Sequence, residues 1–479
     1  MEPETEPVVS EGRMRLTAVI VATALFMQNV DSTVIATALP AMARSFNADP
    51  LHMSVALTSY LISLSVFIPA SGWVADHFGA RHVFRGAIVI FTIGSILCGV
   101  APNLPVLVGA RIVQGLGGAM MLPVGRLLLL RSVSRTQMVA AMSWLTVPAL
   151  IGPILGPPLG GFIVTYFSWR WVFDINVPIG VIGVIAVTLF IPDMREEDRG
   201  GRLDVCGLVL SGLAMAGLMA AFETLGRHLV PLSWTLLVFA IGATATALYV
   251  AHARRTDHPV LDLSLLGVPT FASSVVAGSL FRIAVGALPF LLPLMLQLGF
   301  GYTPMQSGLV TFAAAIGAIF MKPAAKPILA RFGFRNVLSW NGALAAIMMG
   351  ACAVFKPGWP AAVLDVILFV GGFFRSLQFT AFNTIAYGDI PRARMSAATT
   401  LYTTFQQLSL TLGIVAGASI LEFSAMLSHH PTALRSDYAF AFVVVSSIAL
   451  LAVPLTVRLA PDAGESISGH RHLGSGSIN

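Results

Sequence analysis

Seven ionisable side chains interrupt otherwise apolar stretches of this 479-residue chain: Asp31, Arg111, Arg126, Arg282, Lys322, Asp365 and Arg375. A charge in hydrocarbon costs roughly 3 kcal/mol or more, so each needs a partner, water or a function. Asp31 and Arg111 lie about 10–13 Å from the same end of their stretches, at about 1.5 Å per helical residue. Matched depth and opposite charge predict an Asp31–Arg111 interaction. Burial disfavours a carboxylate's charge and a neighbouring guanidinium favours it, so such a pair can bind and release a proton. Asp31 is the expected proton-coupling residue, with a permanent structural ion pair as the competing reading. Arg282 and Arg375 fall about 21–22 Å into their stretches, near mid-membrane. With no acid nearby except Asp365, they point to an anionic or zwitterionic ligand, or else bond helix carbonyls. Gln28, Asn29, Asn383, Gln406 and Gln407 add neutral hydrogen-bonding groups that serve a cavity or join helices equally well. Arg126 and Lys322 sit near helix ends, where a long side chain reaches water by snorkelling.

The elements that must position these groups are membrane helices. The chain is 56% hydrophobic and 10% charged, where soluble domains carry roughly 25% charged residues. A spanning helix needs about 20 apolar residues. Segments 16–40, 53–75, 83–101, 104–130, 137–166, 171–192 and 203–224 satisfy this, as do 232–252, 268–297, 305–330, 336–356, 360–387, 396–421 and 437–459. The expected fold is all-α with 14 spans. With the N-terminus inside, 18 Lys and Arg fall on the cytoplasmic side and 5 on the other, with 5 in helices. That asymmetry is the one that orients bacterial membrane proteins. The expected organisation is a cytoplasmic tail 1–15, a six-helix bundle 16–192 and a loop 193–202. A two-helix insert 203–252, a linker 253–267, a second bundle 268–459 and a disordered cytoplasmic tail 460–479 follow.

Other functional classes lack their residues. Only 3 of the 28 basic residues are Lys and no basic run exceeds two, so a nucleic-acid partner is not expected. No H-E-x-x-H, paired C-x-x-C or Walker lysine occurs, so no enzyme, metal or nucleotide site is expected. An ion gradient is then the expected energy source, with no cofactor. Cys98, Cys206 and Cys352 stand singly and read as packing residues. The acidic start, Met1 to Glu6, and the long first apolar run do not form a cleaved signal.

Short motifs recur between the halves. Gly72, Asp76, Gly79 and Arg81 follow the second span, and Gly333 and Arg335 follow the tenth at an offset of 254. At that offset Gly117-Gly118 matches Gly371-Gly372, and at an offset of 249 Ala38-Leu39-Pro40 is echoed by Ala287-Leu288-Pro289. Duplicated halves are a transporter architecture. In the fifth segment Gly152, Gly156 and Gly160, with Pro153, Pro157 and Gly161, make a smooth face for a neighbouring helix.

Gly72 to Arg81 resembles the GxxxDxxGxR signature of the major facilitator superfamily, and Arg111 to Ala119 is similar to its RxxQGxG motif. The Gly152–Gly161 run resembles the superfamily's antiporter motif. Asp31 to Pro40 and Trp169 to Gly180 resemble the fourteen-span drug:proton antiporter family, although Asp174 replaces an expected hydrophobic residue. The surroundings of Pro123 to Arg126 and of Asn383-Thr384 are similar to an MdtD-like multidrug subgroup. The resemblance spans about Leu16 to Leu459. It implies two pseudo-symmetric six-helix bundles around a central cavity, with two helices inserted between them. It also implies a monomeric, proton-coupled exporter of small molecules in the bacterial inner membrane, both termini cytoplasmic. In such a fold Asp31 and Arg111 line the cavity with Gln28, Arg282, Arg375, Asn383 and Gln406, and the Gly72–Arg81 loop is a gate latch. The mid-membrane arginines favour carboxylates or their metal chelates over cationic drugs. A facilitator importing, or symporting with protons, a small organic anion shares everything except the fifth-segment motif.

Overall fold

The computed structural model describes residues 11–131, 152, 155–192, 204–225, 231–257, 259–391, 394–429 and 433–465. Among them every regular element is helical. A helix satisfies its backbone groups within itself, which suits it to lipid.

The first unit, residues 1–212, begins with α1 (Glu11–Phe46) and α2 (Ser54–Phe67). A single 3-10 turn joins α2 to α3 (Ser71–Phe78), and α4 (Ala80–Gly99) and α5 (Leu104–Arg131) follow. Then come α6 (155–166), the short α7 (Trp171–Asp174) and α8 (Asn176–Phe190). Between them α4 packs on α5 and α8, α2 on α5, and α1 on α5 and α8. Val181, Ile182, Ile185 and Leu189 of α8 are exposed at helical spacing, an apolar stripe that only lipid would solvate.

The second unit, residues 213–479, takes in most of α9 (Val205–Leu225), with α10 (Leu232–Ala253), α11 (Pro269–Leu294) and α12 (Pro304–Asn336). It continues through α13 (Gly342–Gly350), α14 (Ala361–Ile385), α15 (Met395–Leu427), α16 (Arg435–Leu450) and α17 (Val453–Val457). Its packing repeats the first unit's plan, with α12 on α14 as α2 on α5, and α13 on α14 and α16 as α4 on α5 and α8. The correspondence reaches single residues. A Cβ on Gly118 would meet Tyr60, and one on Gly372 would meet Ala314, each pair displaced by the same 254 positions.

Twelve helical elements among the described residues are long and apolar enough to cross a membrane. Eleven match expected segments one for one. The twelfth, Pro304–Val354, covers both 305–330 and 336–356 and kinks at Gly333 (φ 71°, ψ 162°). The segment expected at 137–166 is described only at 152 and 155–166, all helical. Residues 460–465, expected as the start of the tail, run in turns that place Gly464 on Phe334. The remaining tail residues lie outside the described ones.

Candidate functional site

Five helices of the first unit converge on one carboxylate. Asp31 of α1 is 1% exposed, and Arg111 and Gln114 of α5 and Asn176 of α8 are fully buried. Arg111 Nη1 donates to Asp31 Oδ2 at 2.6 Å and to Gln114 Oε1 at 2.5 Å, and its Nε donates to the Ala56 carbonyl of α2 at 3.0 Å. Gln114 Nε2 and Asn176 Nδ2 donate to the other oxygen, Asp31 Oδ1, at 2.9 and 2.8 Å. Both amides also donate to Ser95 Oγ of α4, at 2.7 and 3.2 Å. The Cys98 thiol donates to Gln114 Oε1 at 3.7 Å. Tyr60 of α2 lies 4.2 Å beneath the guanidinium, and Phe173 of α7 lies 5.7 Å from it.

The expected Asp31–Arg111 pair is therefore present. The sequence reading stopped short of the cage that Gln114, Asn176, Ser95 and Tyr60 build around it. Gln114 and Asn176 stood inside two of the quoted motifs and carried a usable signal. Ser95 and Tyr60, a small polar residue and an aromatic within apolar helices, carried none. The arrangement is chemically specific: a buried carboxylate accepts three hydrogen bonds, one of them from the Arg111 guanidinium. Adding a proton would cancel that attraction and leave the guanidinium buried without a counter-charge.

The fifth-segment glycines face the same region. Gly152, Gly156 and Gly160 pack along Asn29, Thr33 and Thr37 of α1, each set at four-residue spacing around Asp31. A Cβ on Gly152 would approach Asn29 Cβ to 2.6 Å, and those on Gly156 and Gly160 would come still closer to the threonine hydroxyls. Gly161 is buried and Pro157 half-buried. Pro153 lies outside the described residues.

The two latch motifs adopt the same geometry. Gly79 has φ 84° and Gly333 φ 71°, and each precedes by two residues an arginine that reaches the last helix of its own unit. Arg81 Nη2 donates to the Thr188 carbonyl at 2.6 Å, and Arg335 Nε to the Val457 carbonyl at 2.9 Å. Positive φ favours glycine at both positions because other residues would clash. Asp76 is engaged in interactions of its own, while Gly72 is exposed.

In the second unit Arg282 of α11 is 1% exposed. Its Nη2 donates to Tyr402 Oη of α15 and, at 3.2 Å, to Asn383 Oδ1 of α14, while Nε and Nη1 have no hydrogen-bond partner among the described residues. Tyr402 Oη donates to Asn383 Oδ1 at 2.9 Å. Among the described residues this arginine bonds no helix carbonyl. Arg375 takes another direction and lies beside Cys352. Gln28 lies beside Tyr60, and Gln406 is half-buried on α15. Asp365 Oδ1 is buried without a partner among the described residues. Lys322 is exposed and donates to Thr380 Oγ1 at 3.3 Å, and Arg126 is exposed. Cys98 and Cys352 are buried, as packing residues are, but Cys206 is exposed.

Known proteins place this arrangement. Residues 21–414, and again 275–475, match the family model for the Major Facilitator Superfamily. A Serratia proteamaculans protein named for multidrug resistance, MdtD, is 38% identical over 467 residues, covering 96% of each chain. Its Klebsiella pneumoniae counterpart is 37% identical over 96% of this chain and 97% of its own. The crystal structure of a D-xylose-proton symporter superposes with a TM-score of 0.67 at 15% identity, covering 94% of this chain and 98% of its own. By its sequence, its helices and its duplicated latch, the chain belongs to the Major Facilitator Superfamily, the secondary transporters of membranes.

Proposed function

We propose that the protein is a proton-coupled exporter of small molecules across the bacterial inner membrane, working by alternating access. The observation that carries this reading is the buried Asp31–Arg111 pair, held by donors from α5 and α8. Protonating Asp31 releases Arg111 from α1, and deprotonation restores the tie. A proton thereby changes how strongly α1 holds its neighbours. The glycine face packed along α1 at Asn29, Thr33 and Thr37 supports antiport, since it rests on the helix that carries the switch. The names of the MdtD relatives support a multidrug-type cargo.

We further infer 14 spans in a 6 + 2 + 6 order. The kink at Gly333 supports counting Pro304–Val354 twice, since its 51 residues would run about 76 Å against a hydrocarbon core of about 30 Å. The helix at 155–166 supports a further span. The distribution of basic residues supports cytoplasmic termini, and a monomer completes the reading. The cargo includes anions such as carboxylates or their metal chelates. The buried Arg282, with two nitrogens unpartnered and only neutral groups bonded to it, supports this.

Inverted vesicles containing the full chain test these points together, with ethidium, citrate and ferric citrate as probes. Substrate should release protons from wild-type vesicles, and Asp31→Asn should abolish that release. Proton movement in the same direction as substrate would instead indicate symport. Retained exchange in Asp31→Asn would sink the proton assignment, and a response to ethidium alone would sink the anion assignment.

A further inference from the structure

A proton on Asp31 leaves Arg111 as a full charge inside the first unit, and neutral groups already surround that charge. Its Nε donates to the Ala56 carbonyl at 3.0 Å and its Nη1 to Gln114 Oε1 at 2.5 Å, while the Tyr60 ring lies 4.2 Å from the guanidinium carbon. Ala56 and Tyr60 stand four residues apart on α2, on one face of that helix. Arg111 is thus tied to α1 by a charge, and to α2 by a carbonyl and a ring.

The second unit holds a buried arginine with ties of the second kind alone. Arg282 is 1% exposed and makes no ion pair among the described residues. Its guanidinium carbon lies 4.7 Å from the Tyr402 ring and 5.8 Å from that of Phe379. For Arg111 the corresponding distances are 4.2 Å to Tyr60 and 5.7 Å to Phe173. Each arginine therefore has one ring close and a second farther off. The hydrogen bonds of Arg282 go to the neutral Tyr402 and Asn383. A tyrosine ring and neutral acceptors are then enough to hold a buried guanidinium in this protein.

The ring acts differently on the two protonation states of the pair. Its negative face attracts a cation, most strongly where water is excluded. With Asp31 ionised, that face attracts the guanidinium and repels the carboxylate, and the two effects partly cancel. With Asp31 neutral, only the attraction remains. The other titratable groups around the pair are engaged elsewhere. From α4 the Cys98 thiol donates to Gln114 Oε1 at 3.7 Å. From α7 the Asp174 carboxylate lies over Gly99 of α4, where an added Cβ would sit 2.5 Å from Oδ1. From α8 comes the neutral Asn176.

We propose that Tyr60 is the positioning residue that keeps Arg111 on α2 when Asp31 takes up a proton. Proton uptake then frees α1 alone, while the guanidinium stays with Ala56 and Tyr60 of α2 and Gln114 of its own helix. The inference rests on Asp31 being the proton site.

The test uses the full chain in detergent and follows the Asp31 carboxyl band by infrared spectroscopy across pH. That band is identified by its loss in Asp31→Asn. Tyr60→Phe keeps the ring and should leave the midpoint of the band in place. Tyr60→Leu removes the ring and should move the midpoint lower by about one pH unit, because the guanidinium left without a counter-charge is less well held. Replacing Tyr60 with a trifluorinated phenylalanine keeps the shape and makes the ring face electron-poor. It should move the midpoint the same way, and carries the test if Tyr60→Leu does not fold. An unmoved midpoint in the folded ring variants overturns the role of Tyr60 while leaving Asp31 as the proton site. So does a Tyr60→Phe midpoint that moves as far as that of Tyr60→Leu. A wild-type chain with no titrating Asp31 band overturns both readings.

Discussion

Replacing Asp31 with Asn is nearly isosteric, so its consequences are electrostatic. The carboxylate accepts from Arg111 through Oδ2 and from Gln114 and Asn176 through Oδ1. An amide offers one oxygen. Turned toward Gln114 and Asn176, it points its NH2 at the guanidinium, and turned the other way it faces two amide donors. The first orientation leaves one donor–donor contact and the second leaves two, and in both Arg111 keeps an uncompensated charge at 0% exposure. Breaking a buried pair from one side costs about 3–5 kcal/mol, a large part of a total stability of about 5–15 kcal/mol. Arg111→Gln should cost less, because Asp31 can neutralise itself by binding a proton whereas an arginine cannot lose one. The double variant Asp31→Asn/Arg111→Gln leaves no stranded charge, so the cycle should close with a coupling of about 1–3 kcal/mol. The assay is thermal unfolding of the purified chain in detergent, with all four proteins measured side by side. Additive losses, or a double variant less stable than Asp31→Asn alone, would refute the argument that the two charges depend on each other.

Gly156→Val places branched carbons against Thr33 and should destabilise by about 1–3 kcal/mol. Gly161→Ala should be milder, and comparison of detergent-extracted yield and unfolding temperature reads both. Arg81→Ala and Arg335→Ala each remove one tie to a terminal helix carbonyl. Each should raise protease access to its own latch loop, by comparable amounts, since the two loops share one geometry. Outside the membrane, burial raises the carboxyl pKa of Asp262, but hydrogen bonds from Ser264 and Arg394 and the charge of Arg394 outweigh it. The net effect holds it below the usual carboxylate range. A depressed folded-state pKa adds stability above the unfolded value of about 3.9, and that stability is lost as pH falls through the folded value. Arg394→Gln should therefore flatten the acid limb of the stability profile. Because Arg394 is 40% exposed, the effect at neutral pH should stay below about 1 kcal/mol.

Much of the molecule was legible before any coordinates. Long apolar runs divided by arginines gave eleven spans that recur as helices, and the 254-residue offset foretold two loops of one conformation. Pairing Asp31 with Arg111 needed only depth and sign, because two buried opposite charges at one level have few other ways to avoid their desolvation cost. Arg282 is buried, and Arg375 lies beside Cys352. The kink at Gly333 was legible as a motif, while its effect of running two expected spans into one helical element was not.

The division has a physical basis. Hydropathy, the cost of a buried charge and the need for φ above zero at a glycine belong to single residues and their immediate neighbours, so the sequence by itself determined them. It settled that the chain crosses a membrane many times, that its halves repeat, and that Asp31 needs Arg111. Which neutral groups complete the cage depended on the rotation and crossing of α2, α4, α5, α7 and α8. A few degrees there decide whether Ser95, Tyr60 or Asn176 faces the carboxylate or a neighbouring helix. Only the tertiary structure could decide that, and only it placed the half-buried Asp174 over Gly99, one turn of α4 from Ser95.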